Sequence, residues 1–328
     1  MATMPLRAQE KPSFARRVWQ VFNNWDTTYV RPNAYTYTLM TEGSLWHEDY
    51  RFANDDGTQM MYFSPRESYK IGPYIGLGPL FVGMSLDTEG LKKNRTEWSF
   101  NFSSSIVGGD LYWRKGNNSF RMYNLQGLGK DLKDREWHLN DAFSVDIRGV
   151  NLYYVFNNKR FSYPAAYSQS TQQLRSIGSL IAGLSYSSHN LKMSSAKLPL
   201  EVQQVLPESW QQGMEAQFLD YGVNVGYSYN WVPRQNVLLN LTLAPALTYK
   251  QSRLEEEGNE QFGYLRRTMS KLDVDFTART ALVWNTGCWY SGLSWVYHNF
   301  NYASNSFRLS SNFGIIRLYA GFNFGRKK

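Results

Sequence analysis

Residues 221–249 alternate between apolar and polar positions with little interruption. Tyr221, Val223, Val225, Tyr227, Tyr229 and Trp231 take turns with Gly222, Asn224, Gly226, Ser228 and Asn230. After Val232-Pro233-Arg234-Gln235, a second run sets Val237, Leu239, Leu241, Leu243, Leu247 and Tyr249 against Asn240, Thr242, Ala244, Ala246 and Thr248. Period-two alternation predicts strands with one apolar and one polar face. The apolar faces are aliphatic in the middle and aromatic towards the ends, the profile of a strand that meets lipid between two aromatic girdles. Tyr221, Val223, Val225, Tyr227, Val237, Leu239, Leu241 and Leu243 are therefore expected to face lipid.

The same alternation recurs along the chain. Strands are expected near 34–41, 44–52, 58–64, 68–76, 79–87, 94–104, 107–115, 143–156, 176–187, 218–231, 236–250, 270–284, 288–300 and 313–325. The predicted fold is all-β, an antiparallel transmembrane β-barrel of about 14 strands, with 12 as the alternative count. An even count places both termini on one side, the periplasmic side of a bacterial outer membrane. Turns at 232–235 and 285–287 are short and belong on that side; connections at 188–217, 251–269 and 301–312 are long and belong on the other. The 157–175 connection is long yet falls on the short-turn side. The 188–217 connection is expected to carry a helix around Leu200–Phe218, interrupted at Pro207, and 116–142 reads as a long charged excursion.

Residues 11–25 place Phe14, Val18, Val21, Phe22 and Trp25 on one helical face, predicting a short amphipathic helix on a membrane surface, in the barrel mouth, or packed on the fold. The chain then divides into a residual export segment (1–10), helix and lead-in (11–33) and barrel (34–328). The stretch MATMPLRAQE lacks the apolar core of a signal peptide, so the chain is expected to start late, with Leu6-Arg7-Ala8-Gln9 as the stub of a cleavage region.

Composition supports the barrel. No run approaches the roughly 18 apolar residues of a spanning helix. Mean hydropathy is −0.49 although 42% of residues are hydrophobic, as expected when polar lumen positions dilute every window. Aromatics reach 16%, with 23 Tyr and 11 Trp, the residues suited to a membrane–water interface. A single Cys288 excludes an intrachain disulfide framework. The formal charge of +8 is dispersed, without a recognition signature for nucleic acid; membrane lipids are the expected partners, with other outer-membrane proteins as further ones.

Candidate chemistry is sparse. His298 lies in a His-Asn-Phe-Asn-Tyr-Ala-Ser run with Ser304, the nearest approach to the base and nucleophile of a lipid hydrolase. The Glu255, Glu256, Glu257 and Glu260 cluster reads as a solvated loop, and no Cys or His spacing suits zinc. Neither metal nor cofactor is expected. Glu97, Asp110, Arg114, Asp146, Arg148, Lys250, Asp273, Asp275, Arg279 and Arg317 take the polar parity and are expected to line the lumen, as an ion-selective channel or as salt bridges that close it. Tyr163, Pro164 and Tyr167 suit either an ordered loop folded into the lumen mouth or a docking site for a partner.

Several stretches, Asn24-Trp25-Asp26-Thr27-Thr28-Tyr29-Val30, Phe161-Ser162-Tyr163-Pro164-Ala165-Ala166-Tyr167-Ser168-Gln169-Ser170, Ser176-Ile177-Gly178-Ser179-Leu180 and Gly183-Leu184-Ser185-Tyr186-Ser187, carry a resemblance. In order and spacing the chain resembles, from about Trp25 to Phe324, a Bacteroidota family of predicted outer-membrane β-barrels with a domain of unknown function. The resemblance implies location and architecture, marks the 157–175 loop as a family feature, and implies no catalytic residue. The function expected of the chain is non-enzymatic: a narrow or occluded pore or a structural barrel. The alternatives are an accessory subunit of an outer-membrane complex and a lipid hydrolase.

Overall fold

A computed structural model of the protein describes residues 24–54, 56–77, 80–83, 86–87, 95–129, 132–252, 272–303 and 307–327. The expected helix at 11–25 lies almost wholly outside the described residues, and so do the Glu255–Glu260 cluster and Ser304.

Sixteen strands are described. They are β1 (Val30–Pro32), β2 (Tyr35–Ala53), β3 (Met60–Pro65), β4 (Ser68–Leu77), β5 (Leu80–Gly83), β6 (Leu86–Asp87), β7 (Arg95–Ser103), β8 (Val107–Gln126), β9 (Glu136–Val155), β10 (Thr171–Gln173), β11 (Ile177–Met193), β12 (Met214–Arg234), β13 (Val237–Ser252), β14 (Leu272–Asn285), β15 (Trp289–Ala303) and β16 (Arg308–Arg326). Fourteen of them form one antiparallel sheet; β1 and β10 form a separate pair. Two stretches expected as separate strands, 34–41 and 44–52, are the single long β2. Conversely, β5 and β6 divide one expected strand, both pairing with β4.

The sheet closes where β16 pairs with β2, in register from Arg308↔Ala53 to Arg326↔Tyr35. An unbroken hydrogen-bonded ring then runs β2-β3-β8-β9-β11-β12-β13-β14-β15-β16 and back to β2. At the end away from the described termini, β3 bridges β2 directly to β8. Towards the terminal end, β4 takes over from β3 along β2, β5 and β6 add to β4, and β7 adds to β8.

Outward-facing positions carry an apolar band. Leu184 and Leu318, 63% and 65% exposed, are typical; Leu180, Val223, Val225, Leu241, Leu243, Leu247, Val274, Leu282 and Leu293 continue it. Tyr37 stacked on Phe324, Trp289 beside Phe322, Trp284, Trp231 and Tyr229 ring the terminal end. Trp98, Tyr186, Tyr221 and Trp295 ring the other side. A band between two aromatic girdles is what a strand cylinder needs to sit in a bilayer.

Beyond the second girdle the pattern reverses. Tyr50, Phe52, Phe63, Phe120, Met122, Phe143, Val145, Ile147, Leu191, Met193, Phe218 and Leu309 point inward, in one continuous buried core. Phe143 touches Tyr50, Phe52, Phe63 and Phe120, rings on three other strands, with its nearest centroids 4.8 Å away. The outer face here is charged, as in the 2.5 Å Lys192–Glu215 and 3.6 Å Arg121–Glu136 pairs. Soluble-type patterning lets the strands project past the membrane band. It explains why 116–142 is no excursion: β8 runs to Gln126 and β9 starts at Glu136. The 194–213 connection caps this core with a 3-10 turn (Ser195–Lys197), α1 (Leu200–Gln203) and α2 (Glu208–Gln211). The helix expected around Leu200–Phe218 is interrupted at Pro207 as expected, because proline cannot donate a backbone hydrogen bond, but it ends at Gln211, and residues 214–218 open β12 instead.

Candidate functional site: a plugged lumen

The terminal end of the barrel is stoppered by the 157–175 connection. Phe161, Ser162 and Tyr163 are buried, and a single helical turn (Pro164–Tyr167) follows, with Pro at its start where no backbone hydrogen bond is lost. β10 then pairs with β1, Val30↔Gln173 to Pro32↔Thr171. The two segments that carry the resemblance, 24–30 and 161–170, therefore meet in space. Asp26 ion-pairs with Arg160 at 3.1 Å, and the Gln173 side chain donates to the Tyr29 and Arg160 carbonyls.

The stopper seats on inward-facing polar residues of the wall. The Tyr167 hydroxyl donates to Asn240 Oδ1 (2.8 Å) and the Tyr163 hydroxyl to Thr242 Oγ1 (3.3 Å). Asn230 Nδ2 donates to the Ser162 carbonyl (2.9 Å) and to Gln173 Oε1 (3.0 Å). Gln169 Nε2 reaches the Tyr319 hydroxyl (2.9 Å), and Gln172 Nε2 the Asn285 carbonyl (2.7 Å). Asn240, Ser228 and Thr242 complete the net among themselves. Each buried polar atom so paired avoids the desolvation penalty of an orphan. Tyr163, Pro164 and Tyr167 thus belong to a loop folded into the mouth.

Inward charges lie between stopper and core. Asp110 pairs with Arg279 through two contacts across the barrel. Lys250 bridges Asp220 (2.6 Å) and Asp275 (2.8 Å), and Asp275 also accepts the Asn301 amide. Arg114 lies 3.5 Å from Glu48 and stacks over Phe313; Arg317 lies 3.4 Å from Glu42. Asp273 shares the inward parity of β14 and is half-buried. Glu97 lies in register with Arg114 on β7, and its side chain falls outside the described ones.

Two of the charges expected in the lumen are outside it. Arg148 is 61% exposed and pairs with Asp146 on the outer surface, where Trp113 donates to Asp146 and underlies the Arg148 guanidinium. Their neighbours Val145 and Ile147 take the interior because the inside of this end is apolar. Sequence reasoning missed Glu42, Glu48 and Asp220, although each shares inward parity with charges that it found.

His298 points inward, bonded to Thr277 (3.0 Å) and flanked by the Phe300 and Phe313 rings. No described hydroxyl other than that of Thr277 is bonded to it. Cys288 is a half-buried free thiol beside the Asn323 carbonyl. Among the described residues no group of three or more His, Cys, Asp or Glu side chains is gathered for a metal ion.

These features define a closed β-barrel with a loop-stoppered lumen. The chain belongs to the family described as "Domain of unknown function (DUF4421)", whose model matches residues 24–324. No curated protein matches it in sequence. Among solved structures, the outer membrane protease OmpT from Escherichia coli is similar at 7% identity, covering 89% of this chain and 97% of that one, with a TM-score of 0.40. The translocator domain of the autotransporter NalP from Neisseria meningitidis is similar at 11% identity, covering 94% of each chain, with a TM-score of 0.36. The fold itself rests on the strand pairing, and no activity follows from these likenesses.

Proposed function

We propose that the protein is an integral β-barrel of a bacterial outer membrane whose lumen is closed, serving as an occluded or structural barrel without catalytic activity. The observation that carries this reading is the filling of both ends: a hydrogen-bonded loop at one, an aromatic core at the other. Between them, among the described residues, acidic and basic side chains pair across the lumen, which stiffens the wall and interrupts any single-sign lining for ion conduction. The terminal end, with its short turns, faces the periplasm and the capped end faces outward.

Reconstitution into planar bilayers tests it. The intact barrel is expected to give no stable conductance steps; a persistent open level under modest voltage would overturn the closed lumen.

A second reading is favoured by the terminal face. Tyr29 lies between the Arg160 and Arg175 guanidinium groups, 5.2 and 5.7 Å from its ring, on the loop that seals the mouth. A sealed barrel with an ordered cationic face suits an accessory subunit of an outer-membrane complex. Copurification in mild detergent that is lost on replacing Arg160 and Arg175 by Glu would support it; unchanged copurification would remove this face from the contact.

A further inference from the structure

A cavity of about 180 Å³ lies directly inside the stopper. Its polar part is made by Glu42, Arg317, Asp110, Arg279 and Ser294, its aromatic part by Tyr153, Tyr167 and Tyr319. Arg279 is committed to Asp110 through both terminal nitrogens. Arg317 is not committed in this way. Its polar contact among the described residues is a single 3.4 Å approach of Nε to Glu42, so the fork of its guanidinium is left for another acceptor.

The cavity also reaches one edge of a wall strand, β7. Every strand except β7 contributes only inward-facing residues to it. From β7 come Ser99 and Ser103, which face inward, and also Phe100 and Phe102, which take the opposite parity. Phe102 lies outside: its ring and a methyl of the outward Leu152 crowd the position a Cβ on Gly109 would occupy, at 2.7 and 2.8 Å. A cavity bounded by both faces of one strand reaches around that strand's edge. β7 pairs with β8 along one edge, and among the described residues no partner is paired along the other.

We propose that this cavity binds the head of an anionic single-chain amphiphile, a long-chain carboxylate, with the carboxylate on the Arg317 fork and the tail leaving past Phe100 and Phe102 along the edge of β7 that is unpaired among the described residues. Planar carboxylates match a guanidinium bidentately. The cavity measures about 180 Å³. It accommodates a head and a short length of chain, so the rest of a long tail must lie outside, against the apolar band. Glu42 competes for Arg317 and holds it when the site is empty.

Titration of the intact, detergent-solubilised barrel with octanoate, dodecanoate and palmitate, read by native mass spectrometry, tests the site without reference to conductance. Saturable binding of one carboxylate per barrel is expected, tighter for the longer chains, with the methyl esters bound about tenfold or more weakly. Arg317→Gln should weaken binding about tenfold or more, whereas Glu42→Gln should tighten it, since it removes the competitor. Opposite signs for the two partners of one ion pair are not expected of a merely structural bridge. If Arg317→Gln fails to fold, Arg317→Gln with Glu42→Gln keeps the charge balanced and should still bind weakly. Absence of saturable binding, or equal binding of ester and acid, overturns the site; affinity that stops rising at octanoate overturns the exit along β7.

Discussion

The Tyr167 hydroxyl donates 2.8 Å to Oδ1 of Asn240, and through that bond a helix of the stopper is fixed near the start of the wall strand β13. Asn240 uses its whole amide: Nδ2 also donates to Ser228 Oγ (2.9 Å) and Asn230 Oδ1 (2.7 Å), and Oδ1 accepts from Thr242 (3.1 Å). Tyr167→Phe removes one donor, at a cost of about 1 kcal/mol. Asn240→Ala leaves several buried groups without partners and should cost at least about 2 kcal/mol. Thermal unfolding of the detergent-solubilised barrel compares the two. An Asn240→Ala barrel as stable as Tyr167→Phe would mean that water replaces the amide and that the stopper seats more loosely.

Removing the stopper should not by itself open the barrel. The ring is closed a second time by the core around Phe143, which the 157–175 loop does not touch. Excision of residues 161–170 is therefore expected to leave planar bilayers silent. Conductance should appear only when the far core is loosened as well, for instance by Phe143→Ala, whose cavity costs about 3–5 kcal/mol. Single-channel steps from the loop deletion alone would show that the aromatic core yields to water.

Lys250 bridges Asp220 and Asp275 in a site where all three are buried. Lys250→Met strands two carboxylates together, and a broken buried pair costs about 3–5 kcal/mol. Adding Asp220→Asn and Asp275→Asn to the same chain should recover most of that loss, because the charges leave together. Chemical denaturation of the three proteins provides the comparison. A triple variant no better than Lys250→Met would place the loss in packing around the lysine stem.

The barrel was legible where one rule governs a strand. In 221–249 the apolar side faces outward throughout the band, and Tyr221, Val223, Val225, Tyr227, Leu241 and Leu243 are exposed on the outer wall. The rule changes sign where strands leave the band. There Val145 and Ile147 turn inward while Asp146 and Arg148 turn out, and parity read from charge alone puts the latter pair on the wrong side. The same reversal hid the far halves of β8 and β9 as a charged excursion. The stopper was half legible: Pro164 and the flanking serines signal an ordered loop, but its seat on Asn230, Asn240 and Thr242 depends on the closure of the ring. No local pattern reports which wall positions a distant loop will meet.

The docking of the N-terminal lead-in onto the stopper should weaken in acid. The Thr28 hydroxyl donates to Asp26 Oδ1 at 2.6 Å and the Thr28 amide at 3.1 Å, and Arg160 approaches Oδ2. The Thr28 bonds first, and the Arg160 charge after them, hold the Asp26 carboxyl below the usual aspartate value. A group whose folded value is depressed contributes fully above its unfolded value and loses that contribution as pH falls through the folded one. The contacts of 24–30 with Arg160 and Gln173 should hence be complete at neutral pH and loosen only as the pH falls below the ordinary aspartate value of 3.8. An environment-sensitive dye on Thr27→Cys, in a Cys288→Ser background, would report the change. Asp26→Asn should abolish the acid transition and leave the dye in its loosened state at every pH. A transition of the same midpoint in the Asp26→Asn protein would assign it to another carboxylate.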